Sequence, residues 1–253
     1  VEETVPDVVR DRELGLQHLT RPQFLAKLLN DAQRSVAVGG TSGKSTVTGM
    51  IGWILHHAHR QPTVMNGAVM KNFVTPSAPF ASALVGDPEL FVSEVDESDG
   101  SIALYKPEIA VLTNISLDHK EMAELRSLFA AFLLRARKAV VNLDDPETRA
   151  IADVVPTDNC VGYGFDSPGA KFMGKNLELA ADGSSFRRCT GRDVRSRLAC
   201  LELTASTGTE VSPSAASRRR TSETIASRRS SGTRSIWLST TSMTSWWEAS
   251  GAR

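Results

Sequence analysis

The stretch Ser35-Val36-Ala37-Val38-Gly39-Gly40-Thr41-Ser42-Gly43-Lys44-Ser45-Thr46 decides the fold. It opens as a short apolar strand and passes through a glycine-rich turn. From Lys44 to about His57 the apolar residues recur at helical spacing, so Val47, Met50, Ile51, Ile54 and Leu55 are predicted to face inward. Strand, turn and helix in this order form a phosphate loop. Backbone N–H groups of the turn, backed by a helix N-terminus, suit an anion. Lys44 would reach the β- and γ-phosphates of a nucleotide, and the Ser45 hydroxyl would coordinate Mg²⁺. Glycines at 40 and 43 allow a close backbone approach that a larger residue would block. The full pattern asks for another glycine at position 38, where this chain has Val38. A glycine-rich turn with an exposed lysine is the alternative reading. The coincidence of strand, glycines, Lys-Ser and helix favours a nucleotide site at Gly40, Thr41, Ser42, Gly43, Lys44, Ser45 and Thr46.

The flanking sequence repeats the alternation. Upstream, Thr20 is a helix N-cap, followed by Phe24, Leu25, Leu28 and Leu29 at helical spacing. Downstream, Leu90-Phe91-Val92 and Ile109-Ala110-Val111-Leu112 are continuous apolar runs, as in strands buried on both faces. Leu125, Leu128, Phe129, Phe132 and Leu133 mark a helix between Glu121 and Arg137. Ala139-Val140-Val141 and Cys160 to Phe165 read as strands, with a helix from Pro146 to Val154 between them. The expected class is therefore α/β: a phosphate-loop fold on a mostly parallel, doubly wound sheet.

Two polar segments follow buried strands, where the ligand crevice of an open α/β sheet lies. Glu94-Val95-Asp96-Glu97-Ser98-Asp99 comes directly after Leu90–Val92, and an acid there can reach a Mg²⁺ held by the phosphate loop. On its own it would read as a solvated acidic turn. Thr113-Asn114-Ile115-Ser116-Leu117-Asp118-His119 follows the next strand. A histidine in such a position is more often structural, but a neutral imidazole can also ligate a metal. His56, His57 and His59 stand near a helix end and read as dipole or solvent residues.

Composition divides the chain. The 253 residues carry 29 basic and 29 acidic side chains, but residues 1–183 hold 24 acids against 17 bases, whereas 184–253 hold 5 against 12. All eight lysines lie in the first part; the last 70 residues have 12 Arg, 16 Ser and 10 Thr. Asn176-Leu177-Glu178-Leu179 with Asp182-Gly183 predicts a strand entering a hairpin, yet after Phe186 no apolar period is sustained. Three regions are expected: a lead-in at 1–33, a nucleotide-binding domain at 34–186, and a low-complexity, poorly ordered tail at 187–253. The tail resembles a GC-rich gene read out of frame, a hypothesis that translation of the other frames would test. An Arg-rich nucleic-acid binder is the competing reading; its Trp residues cluster beyond the Arg runs, and the acidic first part argues against it. No apolar run reaches membrane length, and no secretory signal is visible. The first residue, Val1, points to a fragment or processed chain. Cys160, Cys189 and Cys200 are too scattered for a disulfide framework or zinc site, which fits a cytoplasmic protein.

The three polar segments together resemble the central ATPase domain of the Mur ligases. Gly40 to Thr46 is similar to that family's shortened phosphate loop, which also lacks the first glycine. Glu94-Val95-Asp96-Glu97-Ser98-Asp99 resembles the E-A-D-E-S-D segment of the branch acting on UDP-N-acetylmuramate. Thr113 to Ile115 with Asp118-His119 resembles its T-N-I and D-H segment, and Asn142-Leu143-Asp144-Asp145-Pro146 its later D-D-P. The resemblance implies an ATP-dependent amide-bond ligase of peptidoglycan precursor synthesis, joining L-alanine to UDP-N-acetylmuramate through an acyl phosphate. It implies ATP and Mg²⁺, with Lys44 and His119 catalytic, Asn114 a polar contact to the nucleotide, and Ser45, Glu94 and His119 holding metal. The related alternatives are the muramate–tripeptide recycling ligase and a nucleotide-binding remnant without ligase activity. Ser42 stands where the alanine-adding branch usually has His, and Lys120-Glu121 where Met-Asp is common. The helix between Glu121 and Arg137 has no lysine, in agreement with the muramate branch, since other branches carry a carbamylated Lys there. Neither a preceding uridine-nucleotide domain nor a following G-x-H-N-x-x-N segment is found, so an impaired, truncated ligase is expected.

Overall fold

The computed structural model describes residues 5–117, 120–165, 167–180, 183–190, 192–199 and 203–204. In chain order the elements are α1 (Pro6–Glu13), α2 (Arg21–Asp31), β1 (Arg34–Gly39), α3 (Lys44–His57), β2 (Pro62–Met65), β3 (Val69–Met70), β4 (Ala83–Leu84) and β5 (Asp87–Glu94). They continue as β6 (Ile109–Leu112), α4 (Met122–Arg135), β7 (Lys138–Asn142), α5 (Pro146–Ala152), β8 (Cys160–Phe165), β9 (Phe172–Ala180), β10 (Gly183–Thr190), β11 (Arg192–Ala199) and β12 (Leu203–Thr204).

Among the described residues ten strands form one sheet in the order β11-β10-β9-β8-β7-β6-β1-β5-β2-β4, and β3 pairs antiparallel with β12 in a separate two-stranded sheet. The run from β9 through β2 is parallel, and β4, β10 and β11 pair antiparallel. The apolar runs that predicted doubly buried strands divide between two cores by the two-residue period of a strand. Ala37, Phe91, Ala110, Leu112, Ala139 and Val141 face α2, α4 and α5. Val36, Val38, Leu90, Val92, Ile109, Val111 and Val140 face α3. Helices cover both faces, so the central strands are apolar at their middles, and the buried polar residues Ser35, Ser93 and Asn142 stand near strand ends.

The helices sit as their periods require. Met50, Ile51, Ile54 and Leu55 of α3 are buried, as are Leu125, Phe129, Phe132 and Leu133 of α4. Thr20 caps α2 in a capping box: its hydroxyl accepts from the Gln23 N–H while the Gln23 side chain accepts from the Thr20 N–H. Ala26 and Leu29 of α2 are buried in the same core as α4, so this helix belongs to the sheet's packing although the sequence assigns it to the lead-in. Its inward face is narrower than the apolar spacing predicts, because Phe24 and Leu28 remain exposed.

The sheet also runs on past residue 186, where regular structure was expected to end. β10 pairs with β9, Gly183 opposite Ala180, and β11 pairs with β10 along its length. Pairing of this kind is carried by backbone N–H and C=O groups and tolerates Arg-rich sequence without an apolar period. Most of the expected low-complexity tail lies outside the described residues. Among the described residues, no helix is long and apolar enough to cross a membrane. Cys160 is half-buried, and burial pushes its thiol pKa up, which suits an inert packing residue.

Candidate nucleotide site

β1 is the switch point of the sheet. The chain leaves it into α3 on one face, while β6, its neighbour on one side, leads to α4 on the other. Crevices of open α/β sheets form at such points. Strand register brings the three polar segments to one level: Val38 pairs with Glu94, and Gly39 pairs with Leu112. The residues just beyond each pair therefore meet at the C-terminal edge.

The phosphate loop is built against the segment after β6. Gly40 has φ +135°, and a Cβ there would stand 2.1 Å from the Thr113 hydroxyl, so no side chain fits. Gly43 takes the left-handed conformation, φ +81°, at the N-cap of α3. Asn114 grips Ser42 at both ends of its amide: the Ser42 N–H donates to Asn114 Oδ1 (3.0 Å) and Asn114 Nδ2 donates to the Ser42 carbonyl (2.8 Å). The Thr113 hydroxyl donates to the same carbonyl (2.9 Å), and the Thr41 N–H donates to the Asn114 carbonyl (3.0 Å). The Ser116 N–H donates to the Thr41 hydroxyl (2.9 Å). The Asn114 amide thus spends itself on loop backbone, and its part in the site is to hold the loop's shape.

Lys44 and Ser45 open α3, and Thr46 follows in its first turn. Lys44 Nζ donates to the Gly40 carbonyl (2.8 Å) and to both oxygens of Glu97 (2.8 and 3.2 Å). The Ser45 hydroxyl donates to Glu94 Oε2 at 2.6 Å. Asn66 Nδ2 in turn donates to the Ser45 carbonyl (2.9 Å). Glu94 passes so close to Gly67 that a Cβ on that glycine would lie 1.9 Å from Oε1. Asp96 is held below the usual carboxylate pKa: partial burial opposes ionisation, but hydrogen bonds from the Ser98 N–H and hydroxyl, with the charges of Lys44 and Arg21, prevail. Beside these residues is a pocket of about 110 Å³ lined by Arg21, Lys44, Glu94, Asp96, Ser101 and Tyr105 among others. Burial raises the Tyr105 pKa, so its phenol stays protonated there.

The site residues read from sequence accordingly fall into three groups. Gly40 to Thr46 and Glu94 meet in one crevice. Asn114 reaches it as a brace. His119 lies outside the described residues, and with it the expected second metal ligand. Asp144 and Asp145 serve structure: the Asp144 carboxylate accepts from the Phe165 N–H, and Asp145 caps α5 through the Thr148 N–H (2.8 Å). Sequence reading gave no role to Glu97, Asn66, Gly67 or Thr113. Glu97 and Thr113 stood inside quoted segments, but nothing in their spacing shows which partner each meets. Asn66-Gly67 lies in a loop without periodicity.

The donor set fits a metal-bound phosphate. Among the described residues no group of three or more His, Cys, Asp or Glu side chains is arranged to hold a metal alone. The Ser45 hydroxyl and Glu94 carboxylate are two adjacent hard oxygens, which phosphate oxygens would complete for Mg²⁺.

Comparison with known proteins agrees with this geometry. Residues 38–201 match the family model described as Mur ligase middle domain. A UDP-N-acetylmuramate–L-alanine ligase of Hydrogenobaculum sp. is 33% identical over 187 residues, covering 71% of this chain and 39% of that protein. One from Clavibacter michiganensis is 40% identical over 151 residues, 58% of this chain and 30% of its own length. The chain therefore spans well under half the length of these curated relatives. Among solved structures, UDP-N-acetylmuramate-alanine ligase of Thermotoga maritima superposes with a TM-score of 0.60 at 23% identity, covering 78% of this chain and 44% of that one. The UDP-N-acetylmuramate:L-alanyl-gamma-D-glutamyl-meso-diaminopimelate ligase of Neisseria meningitides gives 0.58 at 25% identity, covering 76% and 64%.

Proposed function

The chain belongs to the Mur ligase family, and from that premise we propose that it carries the ATP- and Mg²⁺-binding part of an amide-bond ligase of peptidoglycan precursor synthesis. The observation that carries the reading is the Ser45 hydroxyl 2.6 Å from Glu94, at the mouth of a loop that closes only around glycine at position 40. In the whole protein the reaction joins L-alanine to UDP-N-acetylmuramate. A carboxylate oxygen of the acid attacks the γ-phosphorus of ATP, the bond to the β-phosphate oxygen breaks, and an acyl phosphate and ADP result. The amine then attacks the acyl carbon, and inorganic phosphate leaves as the amide forms.

This chemistry needs positive charge and fixed dipoles around the transferring phosphoryl group more than a covalent protein nucleophile. Bound Mg²⁺ supplies part of that charge. The chain's residues do the rest: the first-turn amides of α3, from Lys44 on, face the phosphates, and Lys44 neutralises the β- and γ-oxygens. Ser45 and Glu94 hold the metal, His119 contributes to a second metal position, and Asn114 fixes the loop.

A muramate–tripeptide ligase shares this ATP chemistry and differs in the amine. The likeness to the Neisseria meningitides ligase at 25% identity favours keeping it as the second reading. A remnant that binds nucleotide without forming an amide is distinguished by phosphate release, measured with UDP-N-acetylmuramate plus L-alanine and then plus the tripeptide. The primary test is binding. Mg-ATP should bind the chain in calorimetry, and Lys44→Ala should weaken it about 10-fold or more, the worth of a charge-assisted phosphate contact. Equal affinities would remove the site.

A further inference from the structure

We infer that Glu97 is a positioning residue that holds Lys44 until a metal-bound nucleotide arrives, and so makes nucleotide binding depend on the divalent cation. The inference rests on the nucleotide reading and adds a residue and a regulation to it. Two acids three positions apart after β5 hold two successive residues of the phosphate loop. Glu94 takes the Ser45 hydroxyl at 2.6 Å, and Glu97 takes Lys44 Nζ at 2.8 and 3.2 Å. The Glu97 side chain is only 7% exposed, against 19% for Lys44, so the carboxylate has little water to fall back on.

A buried carboxylate is costly without a counter-charge. Phosphates entering the loop draw Lys44 toward themselves and add negative charge beside Glu97, Glu94 and Asp96. Without metal, one lysine then serves the phosphates and the buried acid together. A divalent cation at Ser45 and Glu94 brings two positive charges to the same crevice and relieves both. Glu97 therefore penalises bare ATP far more than Mg-ATP. Glutamine at this position keeps the shape and an acceptor for Lys44 but removes the charge.

The test titrates the full chain with ATP in Mg²⁺ and in EDTA, for the wild type, Glu97→Gln and the charge-retaining Glu97→Asp. In the wild type the metal-free Kd should exceed the Mg²⁺ Kd by about 10-fold or more, the scale of one charge interaction in a half-buried site. Glu97→Gln should lower that ratio about 10-fold, chiefly by tightening metal-free binding, and Glu97→Asp should keep most of it. A urea midpoint near the wild-type value shows that the variants remain folded. Mg-ATP binding with the same ratio in wild type and Glu97→Gln overturns this inference alone. Equal wild-type affinity with and without Mg²⁺ overturns it without recourse to any variant. Absence of Mg-ATP binding to the wild type overturns the nucleotide reading and this inference with it.

Discussion

Gly67 shows how much a single position can carry without any chemistry of its own. Its missing Cβ leaves room for Glu94, whose Oε1 would lie 1.9 Å from a methyl placed there. The obstructing atom is the far end of a side chain, so Gly67→Ala should be tolerated by the fold while turning Glu94 away from Ser45. The expected outcome is a urea midpoint close to wild type together with Mg-ATP affinity weaker by about 10-fold, as a charged metal contact is lost. Unchanged affinity would show that Glu94 is not needed in its present rotamer. Gly40 differs in kind: its obstruction is Thr113, itself fixed to Gly39 and Ser42, and its φ of +135° is unfavourable for any L side chain. The sequence marks Gly40 clearly, because it stands between a strand and Lys-Ser. It marks Gly67 not at all, because the contact is to a residue 27 positions away.

At the scale of elements, local signals were sufficient wherever an element makes its own case. α3 and α4 follow their apolar periods, β1, β6 and β8 coincide with apolar runs, and α2 starts at its Thr20 cap. Thr20→Ala should therefore cost about 1 kcal/mol of stability, read from urea denaturation, by leaving the Gln23 N–H of α2 without its acceptor. A negligible change would mean that α2 is held by packing of Ala26 and Leu29 alone. Elements without a period of their own were missed. β2, β3 and β4 have two to four residues each, too short for a pattern to rise above chance, and each exists by pairing with another strand: β2 with β5, β4 with β2 and β3 with β12. β10 and β11 are the same case at greater length: their sequence argues against a packed strand, and their backbone is paired nonetheless.

Across the whole molecule, one sheet separates two cores and makes them mechanically common property. Ala37 faces one core and Val38 the other, on consecutive residues of the same strand. Phe129→Ala under α4 and Leu55→Ala under α3 should each cost about 2–5 kcal/mol. Both should shift one shared urea transition, with both probes of the two faces changing together; two separable transitions would show that the faces fold independently. The sequence by itself determined the α/β class, the parallel centre and the phosphate loop. Hydrophobic period, helix capping and the torsions of glycine act over a few residues, and each leaves its mark in the order of the chain. Only the tertiary structure decided which acid meets which loop residue. Glu97 reaches Lys44 across 53 positions, and Glu94 reaches Ser45 across 49, because β1 lies between β5 and β6 in this register. A pairing of that kind is set by strand order and by the packing of helices on both faces. No stretch of sequence short enough to carry a period contains it.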